Sequence, residues 1–129
     1  MLQDTLNDAM AVIRNAEMAG KGECLLRPAS KLVGHVLEVM KQADYITGYE
    51  AVVDGRGGFF KVTLKGNINN CGVIKPRFAV RRTDLEKWEA RYLPAQDFGL
   101  LILTTTQGVM SQIRAKEAGV GGKLLAFVY

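Results

Sequence analysis

The sequence predicts an α+β protein of two small domains: an N-terminal α-β-α-β-β unit over residues 1–65 and a mainly β unit with short helices over residues 66–129. Apolar residues recur at helical spacing in the first third of the chain, and segments that alternate apolar and polar residues follow in both halves. The polar, turn-forming stretch KGNINNCG separates the two halves. A length of 129 residues suits either one ordinary domain or two small ones.

Two helices are predicted in the N-terminal half because apolar residues lie three and four positions apart. The first helix ends at Gly20, and its apolar stripe consists of Leu2, Leu6, Ala9, Ile13 and Ala16. The second helix begins after Ser30, whose hydroxyl suits an N-cap. Its apolar stripe consists of Leu32, Val36, Val39 and Ala43.

Strands fill the rest of this half. The segment ECLLRP predicts a short strand between the helices. YITGYEAVV and GFFKVTLKG predict a hairpin, because the turn-forming DGRG separates them. In the second hairpin strand Phe60, Val62 and Leu64 alternate with polar residues, which indicates that they form its buried face.

The C-terminal half begins with VIKPRFAVRR, an alternating segment that predicts a strand. Pro76 places this strand at a sheet edge or at a bulge, because proline cannot donate to a sheet ladder. The basic face of the strand holds Lys75, Arg77 and Arg81, and its apolar face holds Ile74, Phe78 and Val80.

Two further helices and two strands complete the predicted fold. In TDLEKWEARYLP, Thr83 and Glu86 have the spacing of a capping box, and Pro94 ends the helix that follows. GLLILTTT predicts a strand, and KLLAFVY predicts the last one. Between them Ser111 caps the helix QIRAKEA and Gly119 ends it.

The positive charge lies in the C-terminal half. Residues 1–65 contain 8 basic and 8 acidic side chains, whereas residues 66–129 contain 9 basic and 5 acidic ones. The whole formal net charge of +4 therefore belongs to the second half. This asymmetry favours contact with a polyanion, and a solvated basic face without a partner would give the same count.

Composition argues against a membrane protein, a metal site and a bound cofactor. No apolar run reaches the roughly 20 residues that a bilayer span needs, and the first residues do not resemble a secretory signal, so we expect a cytoplasmic protein. Cys24 and Cys71 lie far apart without a CxxC motif, and His35 is the single histidine, so zinc is not expected. We expect two small buried cysteines, no cofactor and no small-molecule substrate.

The glycine-rich AGVGGKLL places glycines before a lysine, as phosphate-binding loops do. Glu117 stands where a P-loop has its first glycine, Leu124 stands where it has Ser or Thr, and the loop connects a helix to a strand. No carboxylate pair or GxSxG motif supports an enzyme. A small metabolic enzyme or regulatory module that uses this turn is the alternative to a binding protein, and a turn that needs positive φ also explains the glycines.

The segment GLLILTTTQGVM carries the strongest binding signal. Three hydroxyls, an amide and a glycine follow an apolar strand, and such groups both donate to and accept from sugars, phosphates and base edges. An ordinary Thr-rich strand end before a glycine turn would look the same. Basic residues on both sides favour the binding interpretation, and these are Lys75, Arg77, Arg81, Arg82, Arg114, Lys116 and Lys123.

Together, LTTTQGVMS and AKEAGVGGKLLAFVY closely resemble the C-terminal signature of the small-subunit ribosomal protein conventionally numbered eight. RPASKL, INNCGVIKPRF and DLEKWEARYLP resemble its archaeal and eukaryotic branch, so the resemblance covers essentially the whole chain. It implies a non-enzymatic protein of the cytoplasmic ribosome, with two small domains. It also implies direct binding to the central domain of 16S-type rRNA, help in assembling the platform of the 30S-type subunit, and neighbouring small-subunit proteins as partners.

The resemblance further implies candidate RNA contacts. The family's Ser/Thr-Thr-Ser/Thr-x-Gly loop, which contacts an irregular RNA helix, corresponds to Thr104, Thr105, Thr106, Gln107 and Gly108. The remaining matches are the glycine pair Gly121 and Gly122, the PASK residues Ser30 and Lys31, and the first-helix pair Arg14 and Asn15.

One further RNA-contact candidate comes from the sequence itself, and the chain differs from the family pattern at two positions. Arg81 is added as a phosphate contact from its place on the basic strand face, and solvent exposure without any contact is the alternative. The family often has Ser where this chain has Thr104, whose extra methyl group is expected to brace the loop. Lys123 replaces an acidic residue of the bacterial relatives, so a carboxylate contact there does not carry over.

Overall fold

The structure is a computed structural model that describes residues 5–95 and 98–129. The chain divides into two compact units, Met1–Cys71 and Gly72–Tyr129. Helices and antiparallel sheets occur together, which confirms the predicted α+β class.

The N-terminal unit has the predicted α-β-α-β-β order. Its elements are α1 (Thr5–Met18), β1 (Glu23–Leu26), α2 (Lys31–Gln42), β2 (Ile46–Val52) and β3 (Phe59–Leu64). The three strands form an antiparallel sheet in the order β1-β3-β2. Phe60, Val62 and Leu64 are buried along the central strand β3 and their neighbours are not, which confirms the predicted alternation.

The apolar stripe of α1 is confirmed. That of α2 is only partly right, because Val36 is buried, Leu32 and Val39 are half-buried and Ala43 is exposed. In α1 the buried residues are Leu6, Ala9, Met10, Ile13 and Ala16, and Leu2 lies outside the described residues. In α2 the buried residues are Val33, Val36, Leu37 and Met40, whereas Ala43 is exposed at the C-cap. The same spacing fits both sets, and the observed one buries Leu37 and Met40 instead of a small alanine. A Cβ on Gly34 would lie 3.1 Å from the Phe60 ring, so the helix approaches β3 closely on this side.

The C-terminal unit is built on a second antiparallel sheet. Its elements are β4 (Cys71–Val73), β5 (Ala79–Val80), a 3-10 turn (Arg82–Asp84), α3 (Leu85–Tyr92), β6 (Leu100–Thr105), β7 (Gly108–Ser111), α4 (Gln112–Ala118) and β8 (Gly122–Val128). The sheet order is β4-β8-β6-β7, and β5 also pairs with β8. Leu101, Leu103 and Leu124 from the central strands pack with Leu85 and Ala115 from the helices in one buried cluster.

The single strand predicted for VIKPRFAVRR is wrong, because β4 and β5 are separate short strands. Between them the Phe78 N–H donates to the carbonyl of Pro76 at 2.9 Å, so the chain turns where proline offers no N–H to a ladder. The predicted division of faces is confirmed all the same. Ile74 and Val80 are buried and Phe78 is half-buried, while the basic residues Lys75, Arg77 and Arg81 are exposed.

The predicted capping box at Thr83 is also wrong. Thr83 lies inside the 3-10 turn, and the residue at the N-cap of α3 is Asp84, which makes no side-chain cap bond. The Asp84 N–H already donates to the Arg81 carbonyl at 2.9 Å, so the backbone turns before an extended N-cap could form. At α4 the prediction is confirmed: the Ser111 hydroxyl accepts from the Arg114 N–H, and Gly119 ends the helix at φ 69°.

Candidate nucleic-acid interface

The TTTQG segment forms a tight hairpin instead of the expected loop before a helix. β6 and β7 pair through Thr105 opposite Gly108, so Thr106 and Gln107 form a two-residue turn. Gly108 adopts φ 113°, a conformation that side chains disfavour. The sequence did not predict β7 because the strand begins with the turn-forming Gly108 and ends with the helix cap Ser111, which leaves only two residues and no alternation.

The three threonines have different roles. The Thr105 hydroxyl donates to the Gly108 carbonyl at 2.8 Å and accepts from the Gln107 N–H at 3.0 Å, so it holds the turn from inside. The Thr105 hydroxyl therefore braces the turn, and the bracing role of the Thr104 methyl group stays a prediction.

The other two hydroxyls are available for a ligand. Thr104 is half-buried, Thr106 and Gln107 are exposed, and none of these side chains hydrogen-bonds within the described part of the chain. Each hydroxyl offers one donor and two acceptor sites, and the Gln107 amide offers both kinds.

Gly121 and Gly122 are glycines because other backbone segments approach them closely. A Cβ on Gly122 would lie 2.0 Å from the Thr104 carbonyl oxygen, and one on Gly121 would lie 2.4 Å from the Val80 carbonyl oxygen. The alternative explanation, a turn that needs positive φ, holds only for Gly119 in this segment. The glycine pair thus lets β8 begin between the ends of β5 and β6.

This packing brings distant parts of the sequence to one end of the sheet. In the strand register Lys123 lies opposite both Thr104 and Ala79, and Arg81 follows β5 directly. We call this surface the threonine end, and it consists of Arg81, Thr104–Gly108 and Gly121–Lys123.

The threonine end carries positive charge that nothing in the described chain neutralises. Arg81 and Lys123 are exposed, and neither forms an ion pair with a described residue. Lys116, which the sequence grouped with these cations, instead pairs at 2.5 Å with Glu89, whose carboxylate is buried. Free hydroxyls, an amide and unpaired cations together suit contact with anionic oxygens.

The four candidates of the N-terminal unit lie on its two helices. Arg14 and Asn15 are exposed on α1. Ser30 occupies the N-cap of α2 in extended conformation without a side-chain cap bond, and Lys31 is the exposed first residue of the helix. No hydrogen bond or ion pair between described residues joins the two pairs.

Cys24 and Cys71 are buried free thiols, as the sequence predicts. Burial, reinforced by the charges of Glu17 and Glu23, raises the pKa of Cys24 to about 11. Burial is also the main cause that raises the pKa of Cys71 to about 12. A nucleophile needs the thiolate, so neither residue suits catalysis at neutral pH.

We expect neither thiol to react with a disulfide reagent at pH 8 while the protein is folded, because both stay protonated and covered. Both should react within minutes in guanidinium chloride. The measurement is the absorbance of the thiol that the reagent releases, followed over time for the folded protein and for the protein in guanidinium chloride. Fast labelling of the folded protein would contradict the burial of these side chains.

Within residues 5–95 and 98–129, no helix has the length and apolar character needed to cross a membrane. The same residues contain no group of three or more His, Cys, Asp or Glu side chains arranged to hold a metal ion.

The fold and the threonine end define a small two-unit α+β protein with a polar, cationic surface at one end of its second sheet. The family model described as Ribosomal protein S8 matches residues 4–129. The chain belongs to the ribosomal protein S8 family, which confirms the resemblance found in its motifs.

Relatives from several organisms match over the full chain, and each is named small ribosomal subunit protein uS8. The protein of Thermoplasma acidophilum is 59% identical over 129 residues, which cover 100% of both chains. That of Archaeoglobus fulgidus is 57% identical with the same coverage. The protein of Methanococcoides burtonii is 54% identical over 129 residues, which cover 100% of this chain and 99% of the relative.

Proposed function

We propose that this protein is a structural component of the small ribosomal subunit in the cytoplasm, where it binds the central domain of 16S-type rRNA directly and helps the platform assemble. It has neighbouring small-subunit proteins as partners and performs no catalysis. Membership of the S8 family and relatives named as small-subunit proteins support this role. The observation that carries the RNA contact is the composition of the threonine end: free hydroxyls, an amide and two unpaired cations on one edge.

The shape of the threonine end favours an irregular RNA helix as target. A regular A-form duplex hides its base edges in a deep, narrow groove, so a short rigid hairpin reads them poorly. A bulge widens the groove or exposes bases, and Thr104, Thr106 and Gln107 can then bond to base edges and sugars. Arg81 contacts a neighbouring phosphate, and Gly108 lets the RNA backbone come close. Gly121 and Gly122 contribute indirectly, because their close packing against β5 and β6 places Lys123 beside Thr104.

The N-terminal unit contributes further contacts in this proposal. Ser30 has a hydroxyl that caps nothing, and Lys31 adds a cation beside it, so the start of α2 suits a phosphate. Arg14 and Asn15 offer exposed donors on α1.

The packing of the glycine-rich turn argues against the enzymatic alternative, which needs this turn to bind phosphate. Gly121 and Gly122 face the carbonyl oxygens of Val80 and Thr104, so packing already occupies the space that a phosphate cradle would need. Carbonyl oxygens also repel phosphate, whereas a cradle presents N–H groups.

The direct test is a gel-shift titration with an rRNA central-domain fragment and, separately, a random duplex of equal length. We expect the fragment to bind at least tenfold more tightly at physiological salt. Equal affinity for both would show that the protein binds RNA only nonspecifically, through its positive charge, and would overturn the proposal. Removing the bulges from the target helix should also weaken binding, and unchanged affinity would refute the preference for an irregular helix.

A further inference from the structure

The loop between β2 and β3, residues Asp54–Gly58, is a preformed structure. The Asp54 Oδ1 atom accepts from the Arg56 N–H at 2.9 Å and from the Gly58 N–H at 3.0 Å. These bonds, led by that from Arg56, hold the pKa of Asp54 below its usual range, so the carboxylate is charged at neutral pH. One side chain thus fixes both ends of the loop tip.

The loop also rests on the segment that precedes α2. The other Asp54 oxygen pairs with the guanidinium of Arg27, which lies 4.6 Å above the Phe59 ring. A Cβ on Gly58 would lie 3.5 Å from the Ala29 Cβ and 2.8 Å from the Val52 carbonyl oxygen. The start of α2 and the loop are therefore neighbours in one small surface.

Two cations of this surface have no partner. Arg56 at the loop tip and Lys31 at the start of α2 are exposed and form no ion pair with any described residue. Arg27, in contrast, is neutralised by Asp54. The folded loop holds the backbone at Arg56 in place before any ligand arrives, which lowers the entropy cost of binding.

We propose that the Asp54–Gly58 loop is a second rRNA-binding element, in which Arg56 at the loop tip and Lys31 at the start of α2 contact backbone phosphates and Asp54 acts as a positioning residue. This inference rests on the proposed rRNA binding and extends it to a loop for which the sequence predicted only a hairpin turn. A guanidinium pairs with phosphate oxygens in bidentate geometry, and unpaired cations on a rigid loop suit a polyanion. The sequence signal was available in DGRG, where an Asp before glycines favours a side-chain-closed turn.

The test compares Arg56→Ala with Lys41→Ala, a matched control at the opposite end of α2 that removes the same charge. Affinity for the central-domain fragment is measured across a KCl titration. We expect Arg56→Ala to weaken binding about fivefold at 0.1 M salt and to reduce the salt slope by about one unit. Lys41→Ala should change neither quantity. Equal behaviour of the two variants overturns the proposal.

Asp54→Ala separates positioning from charge, because it removes the oxygen that accepts from the Arg56 and Gly58 N–H groups. The variant loses one negative charge, so long-range electrostatics alone would strengthen RNA binding. If Asp54 holds the loop in its binding conformation, the variant binds more weakly than the wild type despite this change in charge. Tighter binding contradicts the positioning role.

A cleavage experiment localises the contact. Arg56→Cys, labelled with a tethered iron chelate, should cut the fragment at one discrete place, because the native cysteines are buried and stay unlabelled. Diffuse or absent cutting overturns the contact. Intact RNA binding combined with poor incorporation into the subunit assigns the loop to a protein partner, which also overturns it. Failure of the wild-type protein to prefer the fragment refutes the proposed function itself, so the two failures are distinguishable.

Discussion

Gly122→Ala is expected to unfold the C-terminal unit or to lower its free energy of unfolding by more than about 4 kcal/mol. The new Cβ would lie 2.0 Å from the Thr104 carbonyl oxygen and 2.9 Å from the Thr104 carbonyl carbon. Both are backbone atoms of β6, so no rotamer change relieves the clash. β8 must move away from β6, which breaks the pairing that brings Lys123 beside Thr104. RNA binding at the threonine end should be lost with it.

The measurement is denaturant unfolding followed by circular dichroism, with Gly22→Ala as the matched control. A Cβ on Gly22 meets nothing within 4 Å, and the residue does not adopt a positive φ. Its substitution should change stability by less than about 0.5 kcal/mol. A Gly122→Ala protein as stable as the control would show that β8 does not approach β6 as closely as described.

Most helices and strands could be predicted because their signals are local. Buried alternation in β3, the Ser111 cap and the Gly119 end each depend on residues within one element, and all three are confirmed. The α2 stripe was predicted only in part, because two sets of apolar residues share one period and Val36 belongs to both. Contact with the Phe60 ring of β3, which is far away in sequence, selects between them.

The candidate site could be predicted only in part, for the same reason. The motif located the residues of TTTQG, yet nothing local distinguishes the Thr105 hydroxyl from its two neighbours. Its role follows from the strand pairing that places Gly108 opposite Thr105. Likewise, glycines before a lysine look like a phosphate loop, and the oxygens that exclude this, on Val80 and Thr104, belong to other strands.

Thr105→Ala should have a large effect on RNA affinity, because it removes the hydroxyl that makes two hydrogen bonds inside the turn. Two neutral hydrogen bonds contribute about 2 kcal/mol together, so stability should fall by about 1–2 kcal/mol. The loosened turn no longer holds Thr106 and Gln107 in place for the RNA. We expect affinity for the central-domain fragment to fall roughly thirtyfold, which corresponds to about 2 kcal/mol.

Thr105→Ser and Thr106→Ala distinguish the structural hydroxyl from the binding one. Ser keeps the oxygen that closes the turn, so Thr105→Ser should restore most of both stability and affinity. Thr106→Ala should leave stability unchanged, because its hydroxyl bonds to no described residue, and should weaken RNA binding by about 1 kcal/mol. Since the hydroxyl is neutral, the salt slope should equal that of the wild type. If Thr106→Ala binds RNA normally while Thr105→Ala does not, the threonines serve the turn alone and the contact lies elsewhere on the threonine end.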